Sequence, residues 1–151
     1  MRKIPAPPLN FRNWRTWDDR HSIGNAKYPG VYILAITRKN LSGSRANVED
    51  ACYIGMTNNQ KGLAGRWYQF DRAIHGKRGH SGGNTVYAEL GHYSKWNKRL
   101  YVAAVPVPCN TRDPSPKDYI LMGVVAFLEY AAFAKFRRMR SKRSKPEFNT
   151  R

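Results

Sequence analysis

The sequence predicts a small domain of the α/β (α+β) class with three strands and several helices. Residues 31–36 and 51–56 are short apolar runs rich in Val, Ile and Tyr, joined by a polar segment, which is typical of a β-hairpin. Residues 100–107 form a third apolar run of strand length. Apolar residues recur at helical spacing over residues 63–74, and a long apolar segment follows residue 115. At 151 residues the chain fits one domain.

Residues 1–27 form an extension rich in basic and aromatic residues. Phe11, Trp14 and Trp17 are spaced by three and interleaved with arginines. They could be the apolar face of a helix that docks on the core, or an arm that stacks on nucleic acid bases. Aromatic residues at helical spacing usually belong to a core, so docking is favoured. Residues 28–151 are assigned to the main domain.

The connection inside the hairpin, residues 37–50, is polar and longer than a tight turn needs. It is therefore predicted to be a surface insertion, and it adds Arg38, Lys39 and Arg45 to that part of the surface.

The helix predicted over residues 63–74 is followed by a loop, HGKRGHSGGN, which is rich in glycine, histidine and cations. Such a loop could bring its backbone close to phosphate, or it could be mobile. Residues 85–95 are ambiguous and allow a short helix.

The last helix is predicted to run from Ser115 to about residue 140. Ser115 as N-cap, Pro116 at the first helical position and Asp118 two residues later form a variant of the capping box. The second half of this helix and the residues after it are strongly basic. These cations could contact DNA, or they could cap the helix and keep the chain soluble.

The composition points to a polyanionic partner. Lys and Arg number 27 against 10 Asp and Glu, a formal net charge of +17. The N-terminal sequence lacks the form of a signal peptide, and the apolar run over residues 123–134 is interpreted as too short to span a bilayer. The expectation is a cytoplasmic protein without a membrane partner. The four histidines and two cysteines lack the paired spacing of a zinc site.

Glu129 is the only charged residue between Ile120 and Ala134, and its helical neighbours are apolar. Its carboxylate is expected on a face that packs against the sheet, where an unpaired charge would be costly. Either an arginine or a bound metal ion could supply the compensating charge.

Five features in order resemble the GIY-YIG nucleases. They are Gly30-Val31-Tyr32, Tyr53-Ile54-Gly55, Arg66 at the start of a helix, Glu129 on a later helix, and Asn149 near the end. The resemblance covers nearly all of the chain after residue 28. It implies a mainly antiparallel sheet of three strands flanked by helices, and it favours Mg²⁺ (or Mn²⁺) as the partner of Glu129.

The resemblance also implies roles for these residues. Tyr53 would activate a water molecule, Arg66 would bind the scissile phosphate, and Tyr32 would be the second active-site tyrosine. The family often has a His or Tyr one turn after the arginine, but Phe70 stands there. His75 is taken as the catalytic substitute, with His80 as an alternative and Tyr68 as a weaker one.

The function that follows is a magnesium-dependent endonuclease acting on DNA, most simply double-stranded, of the stand-alone restriction or phage type. The alternative is a nucleic-acid-binding module of the same fold without catalysis. Oligomeric state is left open, a dimer on DNA being one option. The residues expected to contact nucleic acid are Lys61, Lys77, Arg78, His80, Arg137, Arg138 and Arg140.

Overall fold

The computed structural model describes residues 8–150, which form a four-stranded antiparallel sheet with helices on both faces. The strands are β1 (Arg15–Thr16), β2 (Gly30–Ile36), β3 (Tyr53–Thr57) and β4 (Leu100–Pro106). The helices are α1 (Gly62–Ile74), α2 (Ser81–Leu90) and α3 (Pro116–Met139), and 3-10 helices span Trp17–Ser22, Val48–Asp50 and Tyr93–Lys95. The α+β class predicted from the sequence is confirmed.

The hairpin of β2 and β3 has the register that brings Tyr32 opposite Gly55. The strand order is β1-β4-β2-β3, so β2 is central and β3 is an edge strand. Strand β4 pairs with β2 along its whole length, from Gly30 opposite Pro106 to Ile36 opposite Leu100. The two glycine and tyrosine motifs therefore lie side by side next to one edge of the sheet.

The prediction of three strands was one too few, because the N-terminal extension contributes β1. Arg15 and Thr16 pair with Val102 and Tyr101 of β4. The three aromatic residues do not lie on an α-helix. Their segment contains strand β1 and a 3-10 helix, and Arg12 is in the left-handed region at φ 61°. Phe11, Trp14 and Trp17 are all buried.

The long hairpin connection is not simply a surface insertion. Ala46 and Val48 are buried, and the connection pairs with the N-terminal extension through the bonds Trp14 N to Ser44 O and Ala46 N to Arg12 O. Its few apolar residues pack under α3, which explains why a mostly polar segment is ordered here. The mostly polar composition of residues 37–50 gave no indication that Ala46 and Val48 are buried.

Alternate residues of each strand divide the core into two halves. One half lies between the sheet and α3 and includes Val31, Ile33, Ile54, Val105 and Leu128. The other lies between the sheet and the helices α1 and α2, and it includes Tyr32, Tyr53, Trp67, Phe70 and Val86.

Helix α3 begins as predicted, with a complete capping box. Asp118 N donates to Ser115 Oγ at 3.2 Å, and Ser115 N donates to Asp118 Oδ2 at 2.9 Å. The helix has 24 residues, and by length and composition it could cross a membrane, unlike the shorter run considered in the sequence. One of its faces packs on the sheet through Val125, Leu128, Ala132 and Phe136.

Candidate active site at the edge of the sheet

A cleft of about 630 Å³ runs along β3 at the edge of the sheet. It brings together four of the residues singled out in the sequence, which come from four different segments. Tyr53 comes from β3, Arg66 from α1, Glu129 from α3 and Asn149 from the C-terminal segment. The cleft adjoins a second cavity of about 420 Å³, with Arg66 and Met56 lining both and Lys61 lining the second. Together they form a groove along the β3 edge.

Two glycines make room for the Tyr53 ring. A Cβ on Gly55 would lie 2.6 Å from the Tyr32 hydroxyl and 2.8 Å from the ring of Tyr53. A Cβ on Gly82, at the start of α2, would overlap the opposite side of the Tyr53 ring. The second motif therefore ends in glycine because both tyrosines cross that position.

The glycine-rich loop is partly helical, since α2 begins at Ser81. Gly82 lies against Tyr53, and a Cβ on Gly83 would lie 2.6 Å from the Cβ of Ala73 in α1. These two glycines serve close packing between helices and ring. Whether the backbone of this loop also approaches phosphate stays a prediction.

Tyr32 is completely buried and is hydrogen-bonded to His80, with 2.9 Å between Oη and Nε2. His80 is the N-cap of α2, and its Nδ1 accepts a hydrogen bond from Gly83 N at 3.1 Å. A neutral imidazole with Nδ1 accepting has its proton on Nε2. His80 therefore donates to the Tyr32 hydroxyl oxygen.

Burial, together with the nearby Arg66 guanidinium, lowers the pKa of His80 to about 3. The ring is thus neutral at ordinary pH, and the direction of its hydrogen bond is fixed. Burial also raises the pKa of Tyr32 well above 10, with the neighbouring Tyr53 acting in the same direction and Arg66 opposing. Tyr32 is therefore a protonated hydrogen-bonding group.

Arg66 is half-buried and is held from two sides. Its Nη1 donates to Gln69 Oε1 at 2.8 Å, and its guanidinium interacts with the Tyr32 hydroxyl. Since Arg66 also lines the cleft, a planar cation is fixed at its wall next to both tyrosines. Planar guanidinium is the side chain best suited to phosphate oxygens.

The structure brings His80, rather than His75, to the tyrosines. His75 follows the last residue of α1, where its Nδ1 lies 2.6 Å from Asp71 O and its ring makes edge-to-face contacts with His92 and Tyr93. It does not line the cleft. Phe70 is buried with its ring against His80, at 5.2 Å between centroids. His80, at the start of α2, thus lies next to Phe70, which is the residue one turn after Arg66.

Glu129 is half-exposed and lines the cleft, whereas the sequence led us to expect it on a face packed against the sheet. The correction arises because α3 crosses the sheet beside its edge, so Glu129 points past β3 while Leu128 and Ala132 cover the sheet.

No group of three or more His, Cys, Asp and Glu side chains converges within residues 8–150. Mg²⁺ is often held by one or two carboxylates, with water and substrate phosphates completing its coordination. A single carboxylate facing an open cleft fits that kind of site, and it fits neither a zinc site nor a dedicated calcium cage.

Asn149, which the resemblance places among the catalytic residues, is bonded through its side chain to the backbone of β3. Its Oδ1 accepts from Ile54 N at 2.9 Å and its Nδ2 donates to Ile54 O at 2.8 Å. The side-chain amide thus pairs with the outer edge of β3 as another strand would. Both polar atoms are engaged, so Asn149 holds the wall of the cleft between Tyr53 and Gly55.

The residues expected to contact nucleic acid fall into three groups. Lys61, Lys77, Arg78, Arg137 and Arg138 are exposed. His80 is only 1% exposed, so a direct contact with nucleic acid is excluded in this structure. Arg140 is anchored to the hairpin connection, since Nε donates to Glu49 O at 2.9 Å and Nη2 lies 3.6 Å from Asp50 Oδ1.

One feature of the site was missed in the sequence. Lys145 lines the cleft, although the sequence pattern placed it only in a basic tail. His80, the alternative to His75 in the sequence, is the histidine that caps α2, since its Nδ1 accepts from Gly83 N.

Comparisons with protein-family models, curated proteins and solved structures gave no match for this chain. The resemblance to the GIY-YIG nucleases therefore stays a prediction.

Proposed function

We propose that this protein is a metal-dependent endonuclease that hydrolyses phosphodiester bonds in DNA. The observation that carries the proposal is the cleft in which Tyr53, Arg66 and Glu129 meet on a protein with a net charge of +17. Hydrolysis of a phosphodiester needs a base for water, positive charge around the phosphorus and relief of charge on the leaving oxygen. These three residue types can meet those needs.

Tyr53 is the group that activates water. It lines the cleft, whereas Tyr32 is completely buried. Tyrosine is a poor base unless its surroundings favour the phenolate.

The buried groups behind Tyr53 provide such surroundings. The Tyr32 oxygen accepts from His80, and Arg66 can only donate, so the Tyr32 proton is left for Tyr53, with which its hydroxyl interacts. A hydrogen bond donated to an ionised group stabilises it. Arg66 contributes positive charge from the same side.

Arg66 binds the phosphate. Gln69 holds its guanidinium at the junction of the two cavities, so a strand lying along the groove would bring one phosphate to it. Glu129 would hold Mg²⁺ or Mn²⁺, which when bound would stabilise charge on the leaving oxygen. Lys61 lines one of the two cavities and Lys145 lines the other, where they would attract the flanking phosphates.

The test is incubation of the protein with supercoiled plasmid, with Mg²⁺, with Mn²⁺ and with chelator. We expect metal-dependent nicking or linearisation by the wild type and its loss in Glu129→Gln, with DNA binding retained. Glu89→Gln is the matched control, since Glu89 is exposed on α2 outside the cleft, and it should cleave normally. A gel shift without cleavage under any divalent ion would instead support a binding module.

A further inference from the structure

The outer face of α3 is an apolar stripe that no other part of residues 8–150 covers. The exposed positions from residue 119 to residue 134 carry no charge, and they are Tyr119, Ile120, Gly123, Phe127, Tyr130 and Ala134. Phe127 is 63% exposed and Tyr130 is 73% exposed. They recur every three or four residues, so they form one line about 22 Å long.

The area of this stripe is large for a surface with no partner. Tyr119 is 63% and Ile120 is 49% exposed, so with Phe127 and Tyr130 they present roughly 450 Å² of apolar surface, taking ~200 Å² per aromatic side chain. Patches of this size usually mark interaction sites. Two stripes face to face would cover about 900 Å² before flanking atoms are counted, near the lower limit of ~1,200 Å² for specific interfaces.

Gly123 is a second and independent observation. It lies on this face in the interior of α3, and a Cβ there would meet nothing within 4 Å. Glycine weakens an exposed helix interior relative to alanine. The fold gives no reason for this residue, but a notch in an apolar stripe can receive a side chain from a partner.

We infer that α3 is the dimerisation helix, and that the partner is a second copy of this chain packed antiparallel on the same stripe. A two-fold axis near Val125 would pair Phe127 of each copy with the Gly123 notch of the other, and Ile120 with Tyr130. The stripe is thus self-complementary, as a two-fold interface requires.

Charge decides the orientation and the kind of partner. The rest of the surface is strongly basic, so a second copy can approach only where charge is absent. In a parallel pair Arg137 and Arg138 would face their own copies. In the antiparallel pair they approach the start of the partner helix, where Arg112 and Lys117 are balanced by Asp113 and Asp118, so the repulsion is smaller than in the parallel pair.

The dimer has a consequence that rests on the proposed function. Glu129 is next to the stripe, and in this pairing the two Glu129 positions are offset by about 12 Å along the helix axes. Tyr130 belongs both to the stripe and to the wall of the cleft, so the two clefts would lie beside the interface, where one duplex could reach both and both strands could be cut in one binding event.

The test is sedimentation equilibrium of the full chain without DNA. We expect a dimer at about 10 to 50 µM, on the order of the affinity of small interfaces, that tightens as salt is raised, because salt screens the repulsion between two basic copies. Phe127→Glu should be monomeric. Tyr68→Glu is the matched control, since Tyr68 is 60% exposed on α1, and it should remain dimeric.

Gly123→Leu distinguishes loss of the dimer from loss of the fold. It improves helix propensity, so the melting temperature should not fall, yet it fills the notch and should weaken the dimer at least tenfold. A wild type that stays monomeric at about 50 µM in high salt would overturn the proposal. So would monomeric protein whose stripe binds lipid vesicles and loses that binding in Phe127→Glu.

The plasmid assay adds a separate readout. Phe127→Glu should nick at the wild-type rate but accumulate nicked circles, whereas the wild type should linearise. If the wild type sediments as a dimer but cuts no DNA, the dimer stands and the proposed nuclease function fails.

Discussion

The two faces of the sheet are made by the same strands but have different chemistry. Toward α3, strand β2 presents Val31, Ile33 and Ala35, which are wholly apolar. Toward α1 and α2 it presents Tyr32 and Leu34, among aromatic side chains with polar tips. Adjacent residues of one strand therefore belong to two kinds of core.

The difference is in what specifies each face. On the α3 face, shape and apolar area suffice. On the other face polar tips take part as well: Trp17 Nε1 donates to Asp71 Oδ1 at 2.8 Å and Tyr32 is hydrogen-bonded to His80 at 2.9 Å, whereas Trp67 Nε1 is buried without a hydrogen-bond partner among the described residues. The second face can therefore hold reactive groups in fixed orientations, and the first can serve as its support.

The largest expected effect separates the two faces within the hairpin. Tyr53→Phe should lower the rate of plasmid cleavage by at least ~100-fold, because it removes the proposed base, and it should cost under ~1.5 kcal/mol of stability. Ile33→Val, on the α3 face, should do the reverse and lose about 0.5 to 1.5 kcal/mol while cleaving normally. Cleavage by Tyr53→Phe within tenfold of the wild type would remove Tyr53 from the mechanism.

The next effect concerns two histidines close in sequence. Below its ordinary pKa of about 6.5, His80 binds a proton in the unfolded chain, but in the native chain it does so only near pH 3. The free energy of unfolding should therefore fall as pH drops from about 6.5 toward 3, by up to ~1.4 kcal/mol per pH unit from this group.

His80→Gln should remove that part of the slope, measured by urea unfolding between about pH 4 and 7. It should also cost about 1 to 3 kcal/mol at neutral pH, because Tyr32 loses its buried partner. His75→Gln is the matched control, because it leaves the Tyr32–His80 pair intact and should keep the part of the slope that His80 supplies. Equal slopes in all three proteins would show that His80 is accessible to protons.

A smaller effect is expected at Asn149, whose side chain is bonded to the edge of β3. Asn149→Ala removes two hydrogen bonds to Ile54, and it should cost about 1 to 3 kcal/mol of stability and lower cleavage through displacement of Tyr53. Asn149→Asp keeps the acceptor but loses the donor to Ile54 O, so it should fall between the wild type and the alanine variant. A full loss of cleavage with unchanged stability would instead indicate that Asn149 touches the substrate.

The smallest effect is expected at the exposed end of α3. Arg137→Ala with Arg138→Ala should lower the slope of log affinity against log salt by up to ~1.8, which is about 0.9 for each phosphate that the protein no longer neutralises. Cleavage position should not change, since phosphate contacts do not read sequence. Arg140→Ala should instead reduce stability, because Arg140 is bonded to the hairpin connection. An unaltered salt slope in the double variant would limit these arginines to solubility.

Local patterns predicted most of the fold because their signals are local. Continuous apolar runs of strand length marked β2, β3 and β4, and the capping box marked the start of α3. Strand β1 was missed because two residues, Arg15 and Thr16, carry no period of their own, and only their pairing with β4 makes them a strand. In the hairpin connection, contacts with distant segments likewise decide which residues are buried.

The site was harder to predict because it depends on distance between segments. Motif order was enough to select Tyr53, Arg66 and Glu129, which all line one cleft. Sequence could not distinguish His75 from His80, because each is near Arg66 along the chain and only the turn between α1 and α2 brings His80 back to Tyr32. The sequence also could not show that Arg140 is bonded within the fold, because its partners Glu49 and Asp50 lie far from it along the chain.

The bonds of the C-terminal segment to edge strand β3 affect how the chain can fold while it is being synthesised. Phe148 N bonds to Cys52 O, and Asn149 bonds to Ile54, so the last-made part of the described chain closes the edge of a strand made much earlier. Until residue 149 has left the ribosome, β3 has an open edge and the cleft lacks one wall. A nascent chain therefore cannot complete the cleft until residue 149 has emerged, and under the proposed function it cannot cleave nucleic acid before that point.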